Sequence, residues 1–210
     1  MNYVIQLAVE KDFNFGDQKK VGDAGEAFFT KCYAKLGVVA ATGLSHDRLM
    51  LSDALMVLKL NSELIPGKLL KVELKTDTYS FERSENFFIE SISNEDANTP
   101  GGPWRAVKDG IKYYVYCFQD ARIFYWFDSA KLLQRVKVLI LAHRLTPVRV
   151  LNKKRYGGTY YTLGYKIPRS WLWDLAERVE VFDAEFKGTE LKIGTPTLEH
   201  PLASAAGKPS

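Results

Sequence analysis

One segment of the sequence carries ionisable side chains at every second position. The segment from Leu69 to Asp77 alternates in this way, and its ionisable residues are Lys71, Glu73, Lys75 and Asp77. Because successive side chains of a β-strand point to opposite faces, this spacing puts all four on one face. A strand with apolar neighbours rarely carries four such residues on one face unless that face meets water or a ligand. We therefore expect a functional surface here.

A second carboxylate stands at the start of the preceding apolar segment. That segment, Ser52 to Leu60, is almost continuous in apolar residues after Asp53, which is typical of a strand covered on both faces. If the two strands are neighbours in a sheet, Asp53, Glu73 and Lys75 converge at one end of it. Two carboxylates at one point repel each other, and a hard cation such as Mg²⁺ removes that repulsion. A lysine on the same face stabilises charge that develops on a phosphate.

The two segments together resemble the signature of the PD-(D/E)XK nuclease superfamily. The residues that carry the likeness are Asp53-Ala-Leu-Met-Val and Val72-Glu73-Leu74-Lys75, with Ser52 where the family name places proline. An acidic residue on a preceding helix is common in that superfamily, and Glu26 in Gly25-Glu26-Ala27-Phe28 matches by order and type. The likeness covers roughly residues 17–130 and is similar to small phage-encoded and junction-resolving nucleases. It implies a mixed β-sheet flanked by helices, with an Asp on one strand and Glu-x-Lys on the next.

The resemblance also implies a role for each site residue. Asp53, Glu73 and the backbone carbonyl of Leu74 would hold one or two Mg²⁺ ions, for which Mn²⁺ substitutes. Glu26 would bind the metal directly or through a water molecule. Lys75 would orient the attacking water and stabilise the pentacovalent phosphate. The predicted activity is metal-dependent hydrolysis of DNA phosphodiester bonds by an endonuclease.

Some of these assignments have alternatives that the sequence leaves open. The Glu-x-Lys string occurs three times in the chain, and a second candidate set consists of Asp183, Glu190 and Lys192. Glu73 and Lys75 could instead form ion pairs on an exposed sheet face, which contribute little to stability.

Two further acidic residues have two interpretations each. Glu26 is either a metal ligand or a solvated residue on the flank of its helix. Glu90 shares one face of its predicted strand with Phe88 and Ile92. It therefore either lies in the shell around the metal or pairs with a lysine.

The positive charge of the chain is concentrated in one region. The formal net charge is +4, and residues 131–178, the basic block, contain 11 Lys and Arg against two acids, Asp174 and Glu177. Such a block beside a more acidic region suggests a polyanionic partner held near carboxylates. A solvated basic face is the alternative. We expect DNA to be bound by residues near the middle of the block, namely Lys153, Lys154, Arg155 and Tyr156.

The elements that must position these residues follow from periodicity and turn signals. Apolar residues at helical spacing predict a helix from about Asp17 to Leu36, ended by Gly37. The order of elements predicts a mixed α/β or α+β fold with a central mixed sheet flanked by helices, to which the resemblance adds a restriction-endonuclease-like core. The other predicted strands are 38–42, 52–60, 69–77, 86–93, 112–118, 122–127 and 159–166, and the other predicted helices are 104–109, 129–141 and 168–178.

Composition and length predict one globular domain. Of the 210 residues, 46% are apolar and 26% charged, which excludes a disordered chain, a collagen-like fibre and a coiled coil. We expect a single nuclease domain over residues 1–193, with a core at about 17–130 and a basic extension over 131–193. The Gly-, Pro- and Ser-rich residues 194–210 are predicted to form a flexible tail.

The sequence also limits the cellular location and the binding partners that we expect for this chain. The two cysteines do not make a disulfide framework, and no apolar run approaches the roughly 20 residues that span a bilayer. We therefore expect a cytoplasmic protein, in the host cytoplasm if a virus encodes it, with DNA and no membrane as its partner. The segment Pro168 to Arg178 offers a surface for a homodimer through Trp171 or Trp173, and the alternative is that both tryptophans pack inside the protein. The alternative functions are an inactive nucleic-acid-binding module with a nuclease-like fold and a protein-interaction domain.

Overall fold

Two β-sheets and three helices make up the part of the chain that the structure describes. This computed structural model describes residues 13–33, 37–41, 54–60, 63–77, 79–153, 158–185 and 187–191. Helices flank the sheets, so the predicted mixed α+β class is confirmed. The helices are α1 (Phe15–Tyr33), α2 (Gly102–Lys108) and α3 (Ser129–His143).

Seven strands form the larger sheet. They are β2 (Gly37–Ala41), β3 (Ala54–Leu60), β4 (Glu63–Asp77), β7 (Tyr113–Phe118), β8 (Ile123–Asp128), β11 (Arg178–Phe182) and β12 (Gly188–Leu191). Their order in the sheet is β12-β11-β8-β7-β4-β3-β2. β4 runs parallel to β7, and the other neighbouring pairs are antiparallel. The sheet is therefore mixed, with β4 in its interior.

Five strands form the smaller sheet. They are β1 (Phe13–Asn14), β5 (Asn86–Asn94), β6 (Thr99–Pro100), β9 (Val148–Lys153) and β10 (Thr159–Pro168). Their order is β1-β9-β10-β5-β6, with β1 parallel to β9 and the other pairs antiparallel. Residues 131–193 thus supply strands to both sheets: β9 and β10 to this one, and β11 and β12 to the larger one.

Helix α1 covers one face of the larger sheet, which we name the α1 face. Gly25 permits the close approach, because a Cβ at this position would collide with the side chain of Thr76 on β4. Further along the helix, the rings of Phe29 and Tyr33 pack against Trp126 of β8, with centroids 5.8 and 5.4 Å apart. Burial of such large rings contributes strongly to the stability of this layer.

The opposite face of the larger sheet, the α2 face, is covered by α2, α3 and β5. The ring of Phe87 on β5 is fully buried and lies 4.8 Å from the ring of Tyr116 and 5.1 Å from that of Tyr125. Leu132 and Val136 of α3 belong to the same core. The smaller sheet is therefore joined to the larger one through a shared aromatic core.

The segment predicted as a final helix, residues 168–178, forms two 3₁₀ turns instead, Arg169–Trp171 and Trp173–Leu175. On an α-helix Trp171 and Trp173 would lie about 200° apart, so only one ring could face the core. In the structure both rings pack within the chain: Trp171 stacks on His143, and Trp173 contacts Tyr125. The helix prediction is therefore wrong. The homodimer that we expect this segment to form stays a prediction.

Two further expectations concern membrane-spanning helices and the tail of the chain. None of the helices among the described residues is both long enough and apolar enough to cross a bilayer. The predicted tail at 194–210 lies outside the described residues.

Candidate active site

Strand β4 has the alternation that the sequence predicts. Val72 and Leu74 pack in the core beneath α1, whereas Glu73 is hydrogen-bonded to α2 on the other side of the sheet. By alternation, Lys75 and Asp77 also point to the α2 face. Glu73 and Asp77 are buried and Lys75 is partly exposed, so this face is not an exposed ladder of surface ion pairs.

Glu73 accepts a hydrogen bond from Arg105, which lies on α2. The distance from Nη2 to Oε2 is 2.7 Å. The side chain of Glu73 is 9% exposed, whereas that of Arg105 is 37% exposed. A carboxylate this buried requires a charged or hydrogen-bonding partner, because the protein interior solvates its charge poorly. Arg105 supplies that charge from a side chain that still reaches solvent.

Two glycines set the distance between α2 and β5. Gly102 has φ +46°, in the left-handed region that favours glycine. A Cβ there would lie 2.5 Å from the carbonyl oxygen of Glu90, and a Cβ on Gly101 would collide with the Glu90 carboxylate. A larger residue at either position would move α2, and with it the Arg105 side chain that reaches Glu73.

Lys75 and Glu90 form a second ion pair in the site. The distance from Lys75 Nζ to Glu90 Oε2 is 3.9 Å, which is longer than a hydrogen bond. The same Nζ lies 5.8 Å from the centre of the Phe88 ring. The sequence predicts either that Glu90 lies in the shell around the metal or that it pairs with a lysine. The structure shows the pairing, with Lys75. The α2 side of β4 thus carries two ion pairs, Arg105–Glu73 and Lys75–Glu90.

Strand β10 connects the site with the middle of the basic block. Burial, and then the nearby charge of Glu90, raise the pKa of Tyr160 on this strand. Thr159, the preceding residue, pairs with Lys153 at the end of β9. The backbone of Lys153 is described but its side chain is not, and the other predicted DNA contacts lie outside the described residues: Lys154, Arg155 and Tyr156.

Asp77 fixes the end of β4 next to the site. Its Oδ2 accepts a hydrogen bond from the Tyr116 hydroxyl at 2.6 Å, and its Oδ1 accepts one from the Tyr79 backbone N–H at 2.8 Å. The Tyr116 oxygen accepts a hydrogen bond from the Phe88 backbone N–H at 3.0 Å. Burial, and then the charge of Asp77, raise the pKa of Tyr116. Tyr116 therefore stays neutral and bridges β4 to β5 beside Lys75.

The remaining predicted ligands lie partly outside the described residues. Asp53 itself is outside them, and Ala54, which follows it in the sequence, pairs with Val72, the residue before Glu73. Glu26 is half-buried on α1, the helix that covers the other face of β4.

The alternative Glu-x-Lys set occupies a different environment. Asp183 is exposed, and its Oδ1 accepts hydrogen bonds from the backbone N–H groups of Glu185 and Lys187, both at 2.8 Å. Its carboxylate therefore stabilises a turn. Glu190 belongs to β12 and pairs with Glu180, and Lys192 lies outside the described residues.

The carboxylate of Glu73 is an oxygen ligand of the type that hard cations take. Mg²⁺ is commonly held by one or two carboxylates together with waters and phosphate oxygens. Within the described residues no group of three or more His, Cys, Asp or Glu side chains could hold a metal, and Asp53 is not among those residues. Of the two carboxylates predicted to hold the metal from the sheet, Glu73 is described and Asp53 is not.

No protein-family model, curated protein or solved structure matches this chain. Its function is therefore inferred from its own residues, and the PD-(D/E)XK resemblance depends on the segments quoted above.

The α1 face contains a second buried glutamate, which is not among the site residues predicted from the sequence. Glu180 on β11 accepts hydrogen bonds at Oε2 from the Tyr33 hydroxyl and from Trp126 Nε1, the latter at 3.1 Å. Arg178 forms an ion pair with its Oε1. Burial, and then the charge of Glu180, raise the pKa of Tyr33. Donors thus contact both oxygens of this carboxylate within an aromatic core.

Sequence reasoning also missed Arg105 and Tyr116. Arg105 follows the Gly-Gly-Pro-Trp segment, which indicates a turn and a helix start but gives the arginine no partner. Its contact with Glu73 spans 32 positions of sequence. The pairing of Lys75 with Tyr116 requires the parallel register of β4 and β7, which no local pattern encodes.

Proposed function

We propose that this chain is a metal-dependent nuclease that hydrolyses DNA phosphodiester bonds, with its active site on the α2 face of β4. The observation that carries the proposal is a buried carboxylate, Glu73, and a partly exposed lysine, Lys75, on the same face of an interior strand. The neighbouring strand β3 begins directly after Asp53. Helices lie on both faces of this mixed sheet, as the resemblance implies.

Each site residue has a distinct role in this proposal. Glu73 and Asp53, with the backbone carbonyl of Leu74, would hold Mg²⁺ or Mn²⁺. Glu26 lies on α1, which covers the opposite face of β4, so we do not propose it as a ligand of this ion. A bound Mg²⁺ supplies Lewis-acid stabilisation of the phosphate and lowers the pKa of water. Lys75 stabilises the negative charge that develops on the phosphate and orients the attacking water.

Glu90 and the Phe88 ring hold the Lys75 side chain in place. At 3.9 Å the Lys75–Glu90 pair attracts without forming a hydrogen bond. The ammonium group can therefore donate hydrogen bonds to a water or a phosphate oxygen while Glu90 restrains it.

The basic block would contribute affinity for DNA without reading its sequence, because phosphate contacts carry no base information. Several of its described residues are already paired with acids: Lys131 with Glu177, Arg135 with Asp174 and Arg149 with Glu95. This pairing supports the assignment of phosphate contact to Lys153, Lys154, Arg155 and Tyr156, which lie between β9 and β10 in the sequence or at the end of β9. A homodimer and a cytoplasmic location belong to the same proposal.

An inactive nucleic-acid-binding module is the alternative function. The Arg105–Glu73 ion pair favours it, because a carboxylate that is already neutralised needs no metal for stability.

A nuclease assay with the purified chain distinguishes the two. Wild-type protein should cut DNA in Mg²⁺ or Mn²⁺ and not in EDTA. Asp53→Asn, Glu73→Gln and Lys75→Ala should each cut at least about 10²-fold more slowly, the loss typical of removing a group that stabilises developing charge. Glu180→Gln is the matched control, since it changes an equally buried glutamate outside the site, and it should keep its activity below its unfolding temperature.

Two results would contradict the proposal. If Glu73→Gln cuts as fast as wild type, the site is assigned wrongly. If wild type binds DNA but cuts no substrate with either metal, the inactive module is the correct function.

A further inference from the structure

Arg105 and the proposed metal share one ligand, the Glu73 carboxylate. In the structure Arg105 Nη2 lies 2.7 Å from Glu73 Oε2. A metal bound to this carboxylate would take over the neutralising role of the guanidinium. From this shared ligand we infer that Arg105 is a phosphate-binding residue whose release from Glu73 is coupled to metal binding. The inference rests on the proposed function and adds to it a contact with the DNA backbone.

The burial of the two side chains differs in the direction that such an exchange requires. Glu73 lies inside the protein and Arg105 gives it a positive charge, so removing that charge without a replacement would cost free energy. Arg105 is partly exposed, so its side chain borders solvent. A cation bound at Glu73 would therefore favour release of the guanidinium.

The released guanidinium would lie close to the site of reaction. Residues 73 and 75 are two positions apart on a strand, about 7 Å, and Arg105 is held over this part of β4 by α2. A planar guanidinium binds phosphate through two parallel hydrogen bonds, which suits it to one phosphate of the DNA backbone. Arg105 and Lys75 would then contact neighbouring phosphate oxygens from the α2 face of β4.

A coupling of this kind works in both directions. If metal binding releases Arg105 for phosphate, then metal raises the affinity for DNA, and DNA raises the affinity for metal by the same factor. A coupling of ordinary size corresponds to a change of about 5-fold to 150-fold.

The other buried glutamate provides a matched control. Arg178 is as exposed as Arg105 and pairs with the buried Glu180, but on the α1 face. The substitution Arg178→Gln therefore removes the same type of ion pair away from the proposed site.

Calorimetric titration of Mn²⁺ into the full chain without DNA gives the first test. Arg105→Gln should bind Mn²⁺ at least about fivefold more tightly than wild type, because the ion no longer competes with the guanidinium. Arg105→Lys should bind with intermediate affinity, and Arg178→Gln should match wild type.

Fluorescence anisotropy with a labelled DNA duplex gives the second test, in a Lys75→Ala background so that the DNA stays intact. Mn²⁺ should tighten DNA binding at least about fivefold, and adding Arg105→Gln should abolish that gain. Adding Arg178→Gln should preserve it.

The other outcomes overturn the inference in recognisable ways. An unchanged or weakened Mn²⁺ affinity in Arg105→Gln, while wild type still binds the ion, overturns the role of Arg105 and leaves the nuclease proposal standing. Failure of both proteins to bind Mn²⁺ overturns the proposed function as well. If Arg105→Gln does not fold, Arg105→Lys keeps the charge and provides the same comparisons.

Discussion

The larger sheet carries two buried glutamates, one on each face, and each is paired with an arginine. Glu180 on the α1 face is 3% exposed and its partner Arg178 is 39% exposed. Glu73 on the α2 face and its partner Arg105 have similar values. In burial and in charge the two pairs are therefore nearly equivalent.

The two pairs differ in their neighbours. Tyr33 and Trp126 donate to Glu180 from the aromatic core, and these donors are neutral and held by packing. Glu73 lies two residues from Lys75, on a strand face that also approaches Glu90. Packed neutral donors stabilise a carboxylate permanently, whereas a partner on a long, partly exposed side chain can be exchanged. Burial of a carboxylate is thus a weak indicator of function, and an exchangeable partner is a stronger one.

The largest expected difference between the two regions is in stability. Glu180→Gln should lower the free energy of unfolding by about 2 kcal/mol, because hydrogen bonds to a charged group contribute about 1.5–3 kcal/mol. Glu73→Gln should lower it by less than about 1 kcal/mol, because the Arg105 side of its ion pair borders solvent. Glu180, in contrast, also accepts hydrogen bonds from the buried Tyr33 and Trp126. Urea unfolding of both variants measures this. Equal losses would mean that Glu73 is as structural as Glu180.

A smaller effect concerns alkaline pH, to which both regions should respond alike. Burial and a neighbouring carboxylate hold the pKa of Tyr33 and of Tyr116 above the ordinary value of about 10. The folded chain then keeps protons that the unfolded chain loses. The stabilisation is complete below about pH 10 and falls at higher pH, by up to about 1.4 kcal/mol per pH unit for each tyrosine, until the folded pKa is reached.

Urea unfolding between about pH 9 and pH 11 checks this expectation. Tyr33→Phe and Tyr116→Phe should each remove one tyrosine's share of the slope. A slope that Tyr33→Phe leaves unchanged would mean that the Tyr33 hydroxyl ionises as readily in the folded protein as in the unfolded chain, which would contradict a buried hydrogen bond from Tyr33 to Glu180.

Local patterns predicted part of the α2 face correctly. The alternation of residues 69–77 predicted that Glu73 and Lys75 share a face, because a period of two is a property of the strand itself. The ion pair of Glu73 with Arg105 could not be predicted. It depends on α2 crossing β5 at Gly101 and Gly102, which local sequence does not encode.

Non-local pairing explains the strands that the sequence did not reveal. Strand β9 lies in the basic block, where charged residues hide the short alternation of Val148 and Val150. Strand β9 pairs with β1, which is distant in the sequence and whose Phe13 lies opposite Asn152. The failed helix at 168–178 has the same origin, because packing of both tryptophans outweighed a helical pattern.

The most direct test of the central claim is a crystal soaked in Mn²⁺ and measured at the manganese absorption edge. If the α2 face is a metal-dependent active site, an anomalous peak should lie at the Glu73 carboxylate, shared with Asp53, and none at Glu180. In the same crystal the Arg105 guanidinium should have left Glu73. An intact Arg105–Glu73 ion pair with no manganese beside it, in a crystal saturated with the ion, would contradict the claim that the α2 face is a metal-dependent active site.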